Sequence, residues 1–195
     1  MKKLLILILA IIALSCLFAQ EGELKPVGAW SSFMGNTIAC SNYLGYDYSS
    51  AWIYGVTGYA FLLNMHSTVC PSSPTAFDNG ILKRNAMYLG LEFDTIDFAK
   101  NDPELASRQL NALQRVETAL AEGKPAFGWE LGIPEYYLIA STDSAGYFYF
   151  DFDGSLKHCP YQKIATSEIG MAEFNLLSRA AVRPDALSQV RNSIA

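Results

Sequence analysis

"GKPAFGWELGIPEYYLIASTDSAGYFYFD", residues 123–151, carries the strongest strand pattern of the chain. Aromatic and aliphatic residues recur there at alternate positions, the period of a strand with one face turned inward. "PAFGWEL" (125–131), "EYYLIAST" (135–142) and "YFYFDFD" (147–153) are three consecutive strands, and "DSAG" (143–146) is the tight hairpin turn between the last two. "GMAEFNLL" (170–177) supplies a fourth strand.

Upstream of this block the period lengthens. "DPELASRQLNALQRVETALAEG" (102–123) predicts the clearest helix of the chain: Asp102 caps it, Pro103 takes the first helical position and Gly123 ends it. Leu105, Leu110, Leu113, Val116 and Leu120 form its apolar stripe. In "SSFMGNTIACSNYLGYD" (31–47), serines stand where a helix would be capped, Met34, Ile38 and Leu44 keep helical spacing, and Gly45 stops it, which predicts a buried helix over 34–44. A short helix follows Ser49, and "YAFLLNM" (59–65) reads as an interior strand leading to His66. "CPSSPTAFDNG" (70–80) is a loop, "ILKRNAMYLG" (81–90) a helix closed by Gly90, and "LEFDTIDF" (91–98) a strand. The tail "RPDALSQVRNSIA" (183–195) is a short helix or a frayed end. Helices first and an antiparallel sheet afterwards is the α+β class.

The first 20 residues, "MKKLLILILAIIALSCLFAQ", join two lysines to an apolar run too short for a comfortable membrane span, the pattern of a secretory signal. Cleavage is expected after Ala19, so the mature chain is expected to be extracytoplasmic, periplasmic or secreted. "ALSC" (13–16) is a loose lipoprotein match, so anchoring through Cys16 is the alternative, but "LFA" carries the apolar run past that cysteine. Roughly 176 residues then remain, enough for one domain with its own core. The domain is expected over 34–178, with 20–33 as a lead-in and 179–195 as a tail. Losing Lys2 and Lys3 changes the net charge from −5 to −7 with the remaining cations scattered, which argues against nucleic acid and anionic membranes as partners. Cys40, Cys70 and Cys159 survive cleavage, an odd number in a compartment that permits disulfides.

The element order, with "FMGNTIACSNYLGYD" (33–47) and the stretch 123–151, resembles papain-like cysteine peptidase folds. Within these folds it is similar to the bacteriocin-processing, double-glycine peptidase type and the N-terminal domain of butirosin-biosynthesis protein H. In the peptidase members, the first helix opens on a nucleophilic cysteine followed by glycine, and the strand before the hairpin opens on a histidine. The matching positions here are Phe33 or Met34 before Gly35, and Glu135 before "YYLIAST". A thioether has no acidic proton, and the carboxylate has no thiol beside it to activate. The resemblance therefore implies the fold and its cleft without the usual chemistry.

The residues themselves offer other candidates. His66 and Cys70, four apart, would share one face if helical and could act as base and thiol; the surrounding loop pattern favours a packed histidine and a buried or bridged cysteine. Cys40 reads as a core residue or a disulfide partner of Cys70. His158 and Cys159 could join His66 and Cys70 around zinc, but neighbours on an extended chain point to opposite faces, so no metal is expected. Glu130 and Glu135 beside Trp129 have the make-up of a glycan site. No glycine-rich phosphate cradle or nucleotide fingerprint occurs, so no cofactor is expected. The expectation is a non-catalytic module binding a peptide or small molecule, its cleft lined by Met34, His66, Trp129, Glu130 and Glu135. The alternative is a cysteine-dependent amide hydrolase or acyltransferase using Cys70 and His66.

Overall fold

The computed structural model describes residues 22–65, 67 and 77–193. His66 and Cys70 lie outside the described residues. Helix α1 (Ser32–Tyr43) starts on Ser31, whose Oγ accepts from the Met34 amide at 3.4 Å, and α2 (Ser50–Val56) starts in the same way on Ser49. Gly58, at φ +84°, ends α2 and turns the chain. Helix α3 (Gly80–Ala86) tightens into a 3₁₀ turn over Met87–Leu89 that closes on Gly90 at φ +80°. There follow β1 (Leu91–Ala99), the long helix α4 (Leu105–Ala121), β2 (Ala126–Trp129), β3 (Tyr136–Asp143), β4 (Gly146–Phe150), β5 (Leu156–Pro160), β6 (Met171–Arg179) and α5 (Ala186–Ser193).

The six strands form one antiparallel sheet in the order β1-β6-β2-β3-β4-β5, and the class is α+β. The last strand therefore threads between the first two, with Leu91 opposite Arg179 and Ala126 opposite Leu176. A bulge between Ile139 and Ser141 in β3 adjusts its register with β4. Asp143 fixes the hairpin: its Oδ1 accepts from the Ala145 and Gly146 amides at 2.8 Å, bonds that hold its carboxyl below the usual range.

Alternation along the strands produces two cores, one on each face of the sheet. Helix α4 covers one with Ala112, Leu113, Val116 and Ala119 against Ile96, Phe98, Ala126, Ile139, Phe174 and Leu176. The other is built by α1, α2 and α3 against Leu91, Phe127, Tyr136, Leu138 and Leu177. Its centre is aromatic: Phe33 meets Phe127 and Tyr136 edge-on at centroid distances of 5.4 and 5.3 Å and stacks on Phe93 at 6.0 Å. The lead-in runs back along α1, from the Gly22 amide on the Tyr43 carbonyl (2.8 Å) to Ser31. It passes so close at Gly35 that a Cβ there would lie 2.5 Å from the Val27 carbonyl oxygen.

Four sequence expectations change. "YAFLLNM" is no strand: Tyr59–Phe61 is a 3₁₀ turn, residues 62–65 pair with nothing in the sheet, and Leu63 is 88% exposed, because the Gly58 turn carries the segment away from the sheet edge. On α4 the stripe passes through buried Gln109 and leaves Leu110 42% exposed. Gln109 tolerates burial because its Nε2 donates to the Gln162 and Ile164 carbonyls at 3.0 and 2.7 Å. Asp102 caps a turn, accepting from the Glu104 amide at 2.9 Å, and regular helix begins after it at Leu105. Strand β5 was not foreseen: as an edge strand it buries Cys159 and leaves Leu156, Lys157 and His158 exposed, so its sequence carries no clean alternation.

Candidate functional site

Capping by Ser31 makes Ser32 the first residue of α1, with its hydroxyl clear of the helix barrel. There it donates to Glu135 Oε2 and accepts from the Tyr136 amide at 3.1 Å. Helix α1 and strand β3, 103 residues apart in sequence, thus meet at a serine and a carboxylate. Glu135 is held by its own backbone: its amide donates to the Ile133 carbonyl at 2.7 Å and its carbonyl accepts from the Glu130 amide at 2.8 Å. Glu130 takes φ +58° to close that loop, and the Tyr137 hydroxyl accepts from the Ile133 amide at 3.0 Å. The carboxylate also sits where the unpaired amides at a helix start favour negative charge.

Beside this contact lies a slot of about 100 Å³ lined by Pro26, Val27, Ser32, Asn36, Tyr137 and Asp151. Asn36 is anchored to the Ser32 carbonyl at 2.9 Å. The Lys157 ammonium bonded to Asp151 holds that carboxyl below its usual range. Burial raises Tyr137 above the ordinary phenol range, so it enters the site as a neutral hydroxyl. The slot thus presents a hydroxyl, an amide and a carboxylate on an aromatic wall, the make-up of a small recognition site.

A second polar cluster lies on the same face of the sheet. Glu173 Oε1 accepts from Lys83 Nζ (2.9 Å), the Tyr136 hydroxyl (3.0 Å) and Asn175 Nδ2 (2.8 Å), while Asn79 donates to that hydroxyl at 3.1 Å. Burial and the Glu173 charge push the Tyr136 phenol far up. These satisfied partners tie α3 to β3 and β6 across an otherwise apolar face.

The expected site residues separate. Glu135 bonds Ser32 at the edge of the slot but is not one of its lining residues. Met34 is fully enclosed in the core and Phe33 is 3% exposed, so neither faces the cleft: the cap on Ser31 sets the helix one or two residues earlier and turns both inward. Glu130 is engaged by the Ser167 hydroxyl at 2.8 Å and Glu135 by the Ser32 hydroxyl. Trp129 packs edge-on to Tyr136 at 5.0 Å, with its buried Nε1 lacking a hydrogen-bond partner among the described residues.

Cys40 and Cys159 are buried free thiols. Burial pushes Cys159 up to about 11 and Cys40 higher still, which keeps both protonated and unreactive at neutral pH. His158 is exposed, 3.3 Å from Asp143 Oδ1 at the hairpin, roughly 20 Å from Glu135 along β3 at strand rise. Among the described residues no group of three histidine, cysteine or acidic side chains is arranged to hold a metal. No helix among them is long and apolar enough to cross a membrane.

Sequence reasoning missed Ser32, Asn36 and Asp151. The signal for Ser32 was the double serine at 31–32: if Ser31 caps, Ser32 opens the helix. Nothing in the sequence pairs Asp151 with that end of α1. No protein-family model and no curated protein matches this chain.

Proposed function

We infer that the chain is an exported, papain-like module that holds a peptide or small molecule between the start of α1 and the start of β3 without cleaving it. The contact between Ser32 and Glu135 carries this reading. It stands at the meeting of first helix and pre-hairpin strand, where the resembled peptidases keep their cysteine and histidine. A carboxylate is a good acceptor for a serine hydroxyl but a poor base toward it, and catalytic serines rely on an imidazole or amine for that proton. The one described histidine, His158, is at the far end of β3. The serine, the carboxylate and the slot beside them are suited to hydrogen-bonding a ligand's polar end while Tyr137 and Phe152 cover its apolar part.

The test incubates purified protein with a mixture of random-sequence heptapeptides and reads retained and cleaved peptides by mass spectrometry. Retention without cleavage is expected, falling at least tenfold in Ser32→Ala and in Glu135→Leu. Cleavage abolished by Cys70→Ser or His66→Ala would replace this reading with a cysteine-dependent amide hydrolase or acyltransferase. Retention indifferent to both Ser32 and Glu135 would move the ligand out of the slot.

A further inference from the structure

Asn36 stands on the wall of the slot with 8% of its surface exposed. Its Nδ2 donates to the Ser32 carbonyl at 2.9 Å, and a carbonyl accepts only from a donor, so the amide can face one way. Oδ1 is left as an acceptor with no partner among the described residues. An acceptor so enclosed favours whatever brings it a donor, since leaving it unmade costs more than a typical bond gains.

The charges around the slot decide what kind of donor. Asp151 lines it; its Oδ1 accepts from the Phe152 amide at 2.9 Å and its Oδ2 from Lys157, and each oxygen keeps a second lone pair. Lys157 also feels the charge of Asp153, so that one ammonium answers two carboxylates. Glu135 bonds a serine hydroxyl and has no cation partner among the described residues. Burial first, and then the charges of Asp151 and Glu135, raise the Tyr137 phenol, so both carboxylates act on a ring that lines the slot. Three carboxylates thus share one lysine here, while Lys25 and Lys83 are matched by Glu23 and Glu173. The positive end of α1, which would favour an anion, is already met by Glu135 and by the Ser31 cap. The rest of the lining is largely aromatic, with Tyr136, Tyr137, Phe150 and Phe152, surroundings that attract a cation and cost an anion its hydration.

We propose that the polar end held in the slot is a primary ammonium group, the amino terminus of a peptide or the end of a lysine side chain. This rests on the binding reading given above and names the chemistry that the slot selects. The ammonium donates to Asn36 Oδ1 and to the free lone pairs of Asp151, and Tyr137 and Phe152 cover the carbon atoms that carry it. A slot of about 100 Å³ takes such a compact group and leaves the remainder of the ligand outside.

The test gives purified protein three pools of random-sequence heptapeptides at low salt and reads retention by mass spectrometry. One pool has free amino termini and no lysine, the second is N-acetylated with one lysine, and the third is N-acetylated without lysine. At least one of the first two is expected to be retained at least tenfold more than the third; the first alone identifies a peptide terminus, the second alone a lysine side chain. Asn36→Leu, which changes no charge, is expected to remove that preference. Should this variant fail to fold, Asp151→Asn at a part-exposed position is expected to reduce the preference at least fivefold. Equal retention of the three pools, or a preference that survives the folded Asn36→Leu or Asp151→Asn variant, would overturn the ammonium assignment and leave the binding reading standing. Retention of none of the pools would overturn both.

Discussion

The two faces of the sheet are covered by helices of opposite kinds. Helix α4 is amphipathic: Ala112, Leu113, Val116 and Ala119 are buried, and residues such as Arg108, Asn111 and Glu117 face solvent. Helix α1 is buried at every position from Phe33 to Ser41, because the sheet lies against one flank while the lead-in and α2 cover others. The contrast separates two ways of holding a helix. One helix is held by a stripe, which tolerates change over half its surface. The other is held from all sides between Phe33 and Ser41, and the half-buried Ser32 just before that stretch is where the candidate site lies.

The largest effect that would sharpen this contrast is expected at Phe127, fully buried beneath α1 among Phe33, Phe93 and Tyr136. Phe127→Ala is expected to cost about 3–5 kcal/mol in urea denaturation, because the rings around it cannot all collapse into the space left. A loss below about 1 kcal/mol would mean that this core is looser than the packing implies. Glu173→Ala should cost somewhat less, on the order of 2–3 kcal/mol, since Lys83, Tyr136 and Asn175 lose their common acceptor at a largely buried position. The same denaturation measurement with Glu173→Gln, which keeps an acceptor, is expected to recover part of that loss. The smallest effect belongs to α4: Leu110→Ala, on the exposed flank, should change stability by no more than about 0.5 kcal/mol. A loss comparable with that of a buried leucine would put Leu110 back in the stripe.

How much of the fold was legible follows the same division. Helix α4 could be read because it has one wet side, and wet sides create period. The hairpin at Asp143–Gly146 could be read because its turn residues form local bonds. Helix α1 could be placed by its capping serines, but its inward and outward positions could not be assigned: a helix buried around its circumference, with Asn36, Thr37 and Ser41 as enclosed as its apolar residues, has no phase. Reading Met34 as a cleft residue came from the resemblance, which matches Phe33 or Met34 to the peptidases' cysteine, and a shift of two positions, to Ser32, separates a core thioether from the hydroxyl that meets Glu135. Strand β5 escaped because an edge strand buries one side chain, Cys159, and leaves too few inward positions to make a pattern. Residues 59–65 misled in the opposite way, since an apolar run resembles a strand whether or not a neighbouring strand exists to pair with it.

Features that depend on neighbours along the chain could be read from the residues alone: the capped helix starts, the amphipathic α4, the alternating strands, the hairpin and the α+β order. These follow from backbone geometry and side-chain period, which act over a few residues. The threading of β6 between β1 and β2, the contact of Ser32 with Glu135 and the gathering of Lys83, Tyr136 and Asn175 on Glu173 emerge only in three dimensions. The physical reason is distance along the chain. Contacts between residues 32 and 135, or 83 and 173, depend on the packing of whole layers, and no local preference encodes which layers meet.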